Sequence, residues 1–371
     1  MKFTVSSSAL SKQLAAISGV VANNPIVPIL ENFLFSIIDK TLTVTASDLQ
    51  TAITATLAVE AENNVSIAIP ARTLLETLRN LPEQPVTFSV DEDTYSVAIS
   101  SSNGRYRLAG ENATDFPQIG MERTSTPVDM PADVLKKAIR QTLVAASTDE
   151  LRPAMNGVHM DFQEDKATFV ATDGHRLVRY IRSDIGVSAQ RPFIVPKKTL
   201  ILLNNLLPSD NPTVTVAFND NYVCFQVGNT SMVSRLIDER FPDYDNVIPT
   251  NNTSTLTVNR IDFMSSLKRI VIYANKTTYM TKLAMADNAL QIAAEDFDFS
   301  NEASEQIKCE YTDDPLEICF NARFLIEMLA NLPTEEVSMT FSTPSKASLI
   351  FPKEQSENED LVLLIMPVIL Q

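Results

Sequence analysis

Glycine, histidine and cysteine are all scarce in this 371-residue sequence, and each scarcity removes a class of function. There are eight glycines, at positions 19, 104, 110, 120, 157, 174, 186 and 228. No pair of them has the spacing of a phosphate loop and no three fit a dinucleotide fingerprint, which argues against a nucleotide-driven motor or a nicotinamide enzyme. Two histidines, His159 and His175, cannot build a histidine-rich metal site, and their spacing fits no zincin pattern. Three cysteines, Cys224, Cys309 and Cys319, form an odd, sparse set that favours a reducing compartment over a disulfide framework. No apolar run approaches the roughly 20 residues of a membrane span. The start, Met1-Lys2-Phe3-Thr4-Val5-Ser6, lacks the apolar stretch of a secretory signal. A soluble cytoplasmic protein is expected, with neither cofactor nor metal.

What is present is a large apolar fraction, 44%, beside 20% charged residues, enough for substantial cores. At roughly 150 residues per domain the length suggests two or three domains. The net charge of −16, taken as a bulk property, argues against nucleic acid. Its distribution along the chain reverses that inference.

The sequence repeats three times. Ile67-Ala68-Ile69-Pro70-Ala71-Arg72-Thr73-Leu74-Leu75 followed by Asn80-Leu81-Pro82 matches Phe193-Ile194-Val195-Pro196-Lys197-Lys198-Thr199-Leu200-Ile201 followed by Leu206-Leu207-Pro208. The third copy is Ile318-Cys319-Phe320-Asn321-Ala322-Arg323-Phe324-Leu325 followed by Asn331-Leu332-Pro333. Pro82, Pro208 and Pro333 are separated by 126 and 125 residues, and Asp48, Asp173 and Asp296 by 125 and 123. After each proline comes an alternating strand, beginning at Val86, Val214 and Val337, as expected for half-buried strands of antiparallel sheets. Each unit opens with a helix signal: a serine ahead of Ala9-Leu10, Pro131 in a first turn, and an Asn259 cap. A second helix precedes each of the three prolines. Two helices against antiparallel sheets, repeated three times, is an α+β arrangement. The boundaries fall near 120–127 and 249–254, where Thr124-Ser125-Thr126-Pro127 and Pro249-Thr250-Asn251-Asn252-Thr253 read as linkers, giving units 1–122, 128–249 and 254–371.

The positive charge sits in the helices. Six helical segments carry Lys12, Arg72, Arg79, Lys136, Lys137, Arg140, Lys197, Lys198, Arg260, Lys268, Arg269, Lys276 and Arg323 against only four acids. These segments hold +9 and the rest of the chain −25. In the second unit Val134, Leu135, Ala138, Ile139 and Leu143 form the apolar stripe, and Lys136, Lys137 and Arg140 project elsewhere. One basic helix face is ordinary solvated surface; six in so acidic a chain point to a polyanion. No aromatic or glycine-rich strand signature for single strands or RNA accompanies the charge. Sequence-blind contact with duplex phosphates is the natural candidate.

Three tandem units with basic helices, together with several motifs, resemble the bacterial β sliding clamp family, the processivity subunits of replicative DNA polymerases. The motifs are Ala171-Thr172-Asp173-Gly174-His175-Arg176-Leu177, Arg240-Phe241-Pro242-Asp243-Tyr244, Met366-Pro367-Val368, Met155-Asn156-Gly157 and Asn103-Gly104-Arg105-Tyr106. The resemblance covers essentially the whole chain. It implies clamp-type domains, a head-to-tail homodimeric ring with the helices around double-stranded DNA, and no catalysis. It also implies a hydrophobic cleft where the polymerase, the clamp loader and other clients insert a short peptide. That cleft would comprise Met155, Thr172, Gly174, His175, Arg176, Leu177, Pro242, Val247, Asn321, Phe324, Leu364, Met366, Pro367 and Val368. The ring would close through edge strands near 104–109 and 299–307, with Tyr106 and Ile272 packing beneath. Where the family often has a basic residue near position 24, in a loop reaching DNA, this chain has Asn24 as the candidate contact, and where it often has one near the end there is Ile369-Leu370-Gln371. The DNA-facing loop at 148–152 carries Asp149 and Glu150, leaving Arg152 as its candidate contact. Two other readings compete. One is a protein-binding scaffold that never encloses DNA, which the charge segregation opposes. The other is a hydrolase using Asp173 and His175, which lacks a nucleophile and a phosphate loop.

Overall fold

A computed structural model describes residues 2–120, 127–186 and 191–369. The linker residues Thr124, Ser125 and Thr126 and the terminal Leu370 and Gln371 lie outside the described residues. Six helices are described: α1 (Ser7–Ile17), α2 (Ala71–Arg79), α3 (Ala132–Leu143), α4 (Lys197–Leu206), α5 (Arg260–Ile270) and α6 (Ala322–Asn331). None is long and apolar enough to cross a membrane.

Contacts divide the chain into two compact units, Met1–Lys136 with Lys198–Leu236, and Lys137–Lys197 with Ile237–Gln371. Neither unit is a sequence repeat. The reason is strand pairing: in each unit an eight-stranded antiparallel sheet takes strands from two adjacent repeats. In the first unit Thr51–Ala58 pairs with Thr230–Arg235, and in the second Arg176–Arg182 pairs with Glu359–Ile365. The first unit also holds a five-stranded sheet ending in the edge strand Arg105–Ala109, and the second a four-stranded sheet ending in the edge strand Asn301–Lys308.

The alternating segments fold as their period dictates. In Pro85–Val90, Val86, Phe88 and Val90 are buried while Thr87 and Ser89 are not. Phe88 stacks on Phe3 with ring centroids 4.7 Å apart, and Phe35 closes the group at 6.3–6.4 Å. Helix starts follow local hydrogen bonding. Asn259 Oδ1 accepts from the amides of Ile261 and Asp262, and Asn321 Oδ1 from those of Arg323 and Phe324. The serine cap of α1 is Ser6, accepting from Ala9 N at 3.3 Å. Pro131 differs from expectation: it closes the strand Val128–Pro131, and the helix begins at Ala132. That strand is a sheet edge, where a residue without an N–H is tolerated. The helices α2, α4 and α6 end before Pro82, Pro208 and Pro333.

Phe3, Phe35 and Phe88 are fully enclosed, so Phe88→Ala should lower the unfolding free energy by about 3–5 kcal/mol, read as a shifted urea midpoint.

Candidate functional site

The turn between strands Ala167–Thr172 and Arg176–Arg182 is built almost wholly from its own polar side chains. Gly174 takes φ +89°, a conformation open to glycine at little cost. Asp173 Oδ1 accepts from the amides of His175 and Arg176, both at 2.9 Å. Its Oδ2 accepts from Arg176 Nε at 3.0 Å. Thr172 Oγ1 donates to Arg176 O at 2.8 Å and accepts from Gly174 N at 3.1 Å. Both oxygens of Asp173 are therefore committed to shaping the turn, and neither orients His175 for acid–base work. Arg176 is 8% exposed; its guanidinium bonds Glu327 at 2.6 Å and lies 4.5 Å from the Phe324 ring centroid. The His175 ring stacks beside Phe324 at 6.1 Å.

Behind the turn lies an apolar floor. Val170, Leu177, Ile194, Phe241, Ala347, Leu349, Val362 and Leu364 are buried together, with Ala154, Ile237, Tyr244, Ile248 and Phe351 packed against them. The last described segment crosses this region, since Met366 N donates to His175 O and Val368 N to Cys319 O, both at 2.8 Å. Above the floor, Val247 is 49% and Met366 37% exposed. The expected cleft residues thus occupy one compact unit. Leu177 and Leu364 oppose each other in the floor. Thr172, Gly174, His175 and Arg176 form the turn, Asn321 caps the helix carrying Phe324, and Met366 and Val368 are pinned beside them. Met155, Pro242 and Pro367 are half-buried. The floor residues missing from the expectation are chiefly Phe241, Tyr244, Leu349 and Val362. Val362 lies two residues from Leu364 on one strand face, so period-two alternation could have found it; Leu349 joins only by strand pairing.

The thirteen expected DNA-facing cations divide in two. Several have internal partners. Lys137 pairs with Glu359 at 2.6 Å, Lys136 donates to Leu207 O, Lys197 to Ala146 O, and Arg260 to Thr334 O and Leu329 O. Burial pushes the Lys197 ammonium below its ordinary range. Lys198 pairs with Asp48, Arg269 with Glu305, Lys276 with Ile272 O, and Arg323 lies over the Tyr279 ring. Arg72 donates to Asn23 Oδ1 at 3.2 Å. Lys12, Arg79, Arg140 and Lys268 are exposed and make no ion pair among the described residues. Of the loop candidates, Asn24 is exposed at φ +52°. Arg152 is turned toward Asp149 at 2.9 Å and Asp173 O at 3.1 Å, so it braces the turn.

Profiles of the DNA polymerase III beta subunit match the chain throughout: the N-terminal domain over residues 1–120, the central domain over 129–243 and the C-terminal domain over 245–369. The beta sliding clamp of Vibrio cholerae is 28% identical over 99% of this chain and all of its own length. That of Caulobacter vibrioides is 30% identical over 94% of this chain and 95% of its own. Among solved structures, the DNA polymerase III subunit beta from Pseudomonas aeruginosa superimposes with a TM-score of 0.95 at 26% identity, covering both chains fully. A second structure of that clamp, bound to griselimycin, gives 0.94.

His159 stacks on Phe241 at 4.7 Å beneath the floor, and burial lowers its pKa from 6.5 although Asp161 and Asp245 oppose the shift. The unfolded chain takes up this proton as pH falls through 6.5 and the folded chain does not, so stability drops below that pH. In His159→Phe the decline of unfolding free energy between about pH 6.5 and 5 should be shallower than in the parent, measured by urea titration at each pH.

Proposed function

Because the chain belongs to the DNA polymerase III beta subunit family, the sliding clamps of DNA replication, it is a non-catalytic processivity factor, and we propose that it works as a cytoplasmic head-to-tail homodimer whose ring encloses duplex DNA and whose cleft holds client peptides. The observation that carries the peptide reading is the apolar floor around Leu177 and Leu364, bounded by the Asp173 turn and the Met366 segment within one unit. A leucine and an aromatic side chain would enter against Leu177, Pro242, Val247 and Met366. At roughly 1.5–3 kcal/mol per buried large side chain, two anchors supply about 3–6 kcal/mol before ordering costs, against the roughly 8 kcal/mol of micromolar binding, so the expected affinity is micromolar at the strongest. That strength lets polymerase, loader and other partners exchange.

The DNA reading rests on the segregation of +9 in helical segments from −25 elsewhere. Lys12, Arg79, Arg140 and Lys268, which make no ion pair among the described residues, are the foremost phosphate contacts. A ring holds DNA by topology, so weak, salt-screened attraction suffices and leaves sliding unhindered. Ring closure rests on two open sheet edges, Arg105–Ala109 and Asn301–Lys308, with Tyr106 38% and Ile272 62% exposed nearby. The repeat supports three domains at 1–122, 128–249 and 254–371.

Loaded protein should remain on nicked circular DNA and leave once the circle is linearised, followed by gel filtration of labelled protein; equal retention on both would refute topological binding. Truncation after Ile365 should abolish binding of a fluorescent client peptide, read by anisotropy, while the sedimentation profile stays that of the full chain. Undiminished peptide binding would move the site elsewhere.

A further inference from the structure

Helix α3 holds two of its cations, Lys137 and Arg140, in opposite states. Arg140 is exposed and makes no ion pair among the described residues. Lys137 turns into a charged cluster at one end of the pairing between Arg176–Arg182 and Glu359–Ile365. Leu177 faces Leu364 near the other end of that pairing; here Arg182 faces Glu359. Lys137 Nζ donates to both oxygens of Glu359, at 2.7 and 2.6 Å. Tyr180 Oη donates to Glu359 Oε1 at 2.8 Å, and Arg182 Nη1 to the same oxygen at 3.0 Å. Arg182 also donates to both oxygens of Asp184, at 2.8 and 2.6 Å. The Glu359 side chain is 10% exposed. Burial opposes its ionisation, yet the hydrogen bonds of Lys137 and Tyr180 and the charges of Lys137 and Arg182 hold its carboxyl below the ordinary range.

We propose that Glu359 acts as an internal stand-in for phosphate, keeping Lys137 off the duplex and so limiting how many phosphates each copy neutralises. The inference rests on the reading of the basic helices as the DNA-facing surface, and adds a residue that sets the strength of that contact. The contest is between two anions for one ammonium. Glu359 holds Lys137 across a contact with little solvent in it, where salt screens least. A phosphate competes through solvent, where attraction fades over about 8 Å at physiological ionic strength. The internal acid prevails.

The other bonded cations differ in kind. Lys136, Lys197 and Arg260 donate to backbone carbonyls, which cancel no charge. Lys198 and Arg269 pair with Asp48 and Glu305, but their side chains are well exposed and open to a phosphate. Lys137 is both half-buried and neutralised. Taking away the Glu359 charge releases that one cation, and Arg182 keeps its place through Asp184. One released cation has a defined signature, because each phosphate neutralised steepens the slope of log K against log salt by about 0.9. Near 0.1 M salt that is a gain of about eightfold in affinity.

The test measures binding of the full chain to a short fluorescent linear duplex by anisotropy, between about 50 and 200 mM salt. Glu359→Gln should bind about eightfold more tightly near 0.1 M salt, with a slope steeper by about 0.9. Glu359→Met, which fills the place without a polar group, should behave alike. Adding Lys137→Gln to Glu359→Gln should return the slope to that of the parent. Far-UV circular dichroism and the urea midpoint verify that each variant is folded. A gain that persists in the double variant reports a change of bulk charge and overturns the assignment to Lys137. An unchanged slope in both Glu359 variants overturns it as well, with the DNA reading left standing. A parent chain without salt-dependent duplex binding overturns the DNA reading itself and this proposal with it.

Discussion

An unpaired strand edge is the constraint on which the molecule depends. Backbone N–H and C=O groups at an edge must be satisfied, and the first two repeats satisfy them by each lending a strand to the repeat that follows. That is why compact units and sequence repeats do not coincide: the strand Thr51–Ala58 completes a sheet with Thr230–Arg235, and Arg176–Arg182 with Glu359–Ile365. The helices, the turn and the apolar floor are all positioned by these ladders. The strands Arg105–Ala109 and Asn301–Lys308 stay open sheet edges.

The Asp173 turn shows how charge can be spent on shape. Its carboxylate, the Arg176 guanidinium and Glu327 form a connected set at the end of a junction strand. The equivalent place in the first unit is filled instead by three hydroxyls, Thr51, Thr199 and Ser234, within 2.7–3.2 Å of one another. The hydroxyls pack flush and close that place. Arg176 instead lies against Phe324, and the residues beside it carry an exposed apolar lip at Met366 and Val247. Equivalent backbone thus gives a closed junction in one unit and one with an exposed apolar lip in the other, through side-chain size and charge alone.

The basic residues of the helices show a similar division of labour. A cation already bonded to a carboxylate, as Lys137 is to Glu359, contributes to the field at a distance but has little freedom to follow a phosphate. Lys12, Arg79, Arg140 and Lys268 keep that freedom. Few mobile cations against a strongly acidic remainder suit a protein that must stay on DNA without gripping it, because affinity and its salt dependence both grow with the number of phosphates neutralised.

The sequence alone determined the triplication, the helix cap at Asn259, the half-buried strands and the concentration of positive charge in helices. All of these are local or periodic properties, written in neighbouring residues and in spacing. The turn at Thr172–Leu177 was likewise legible, through its motif. Tertiary structure alone decided which strands lie side by side. It therefore decided that Leu349 and Phe241 share a floor with Leu177, that Arg152 braces the turn, and that Lys136, Lys137, Lys197 and Arg260 are tied to internal acceptors. Those facts depend on contacts between residues tens to hundreds of positions apart, and no local pattern records which distant backbone a strand will choose as its hydrogen-bond partner.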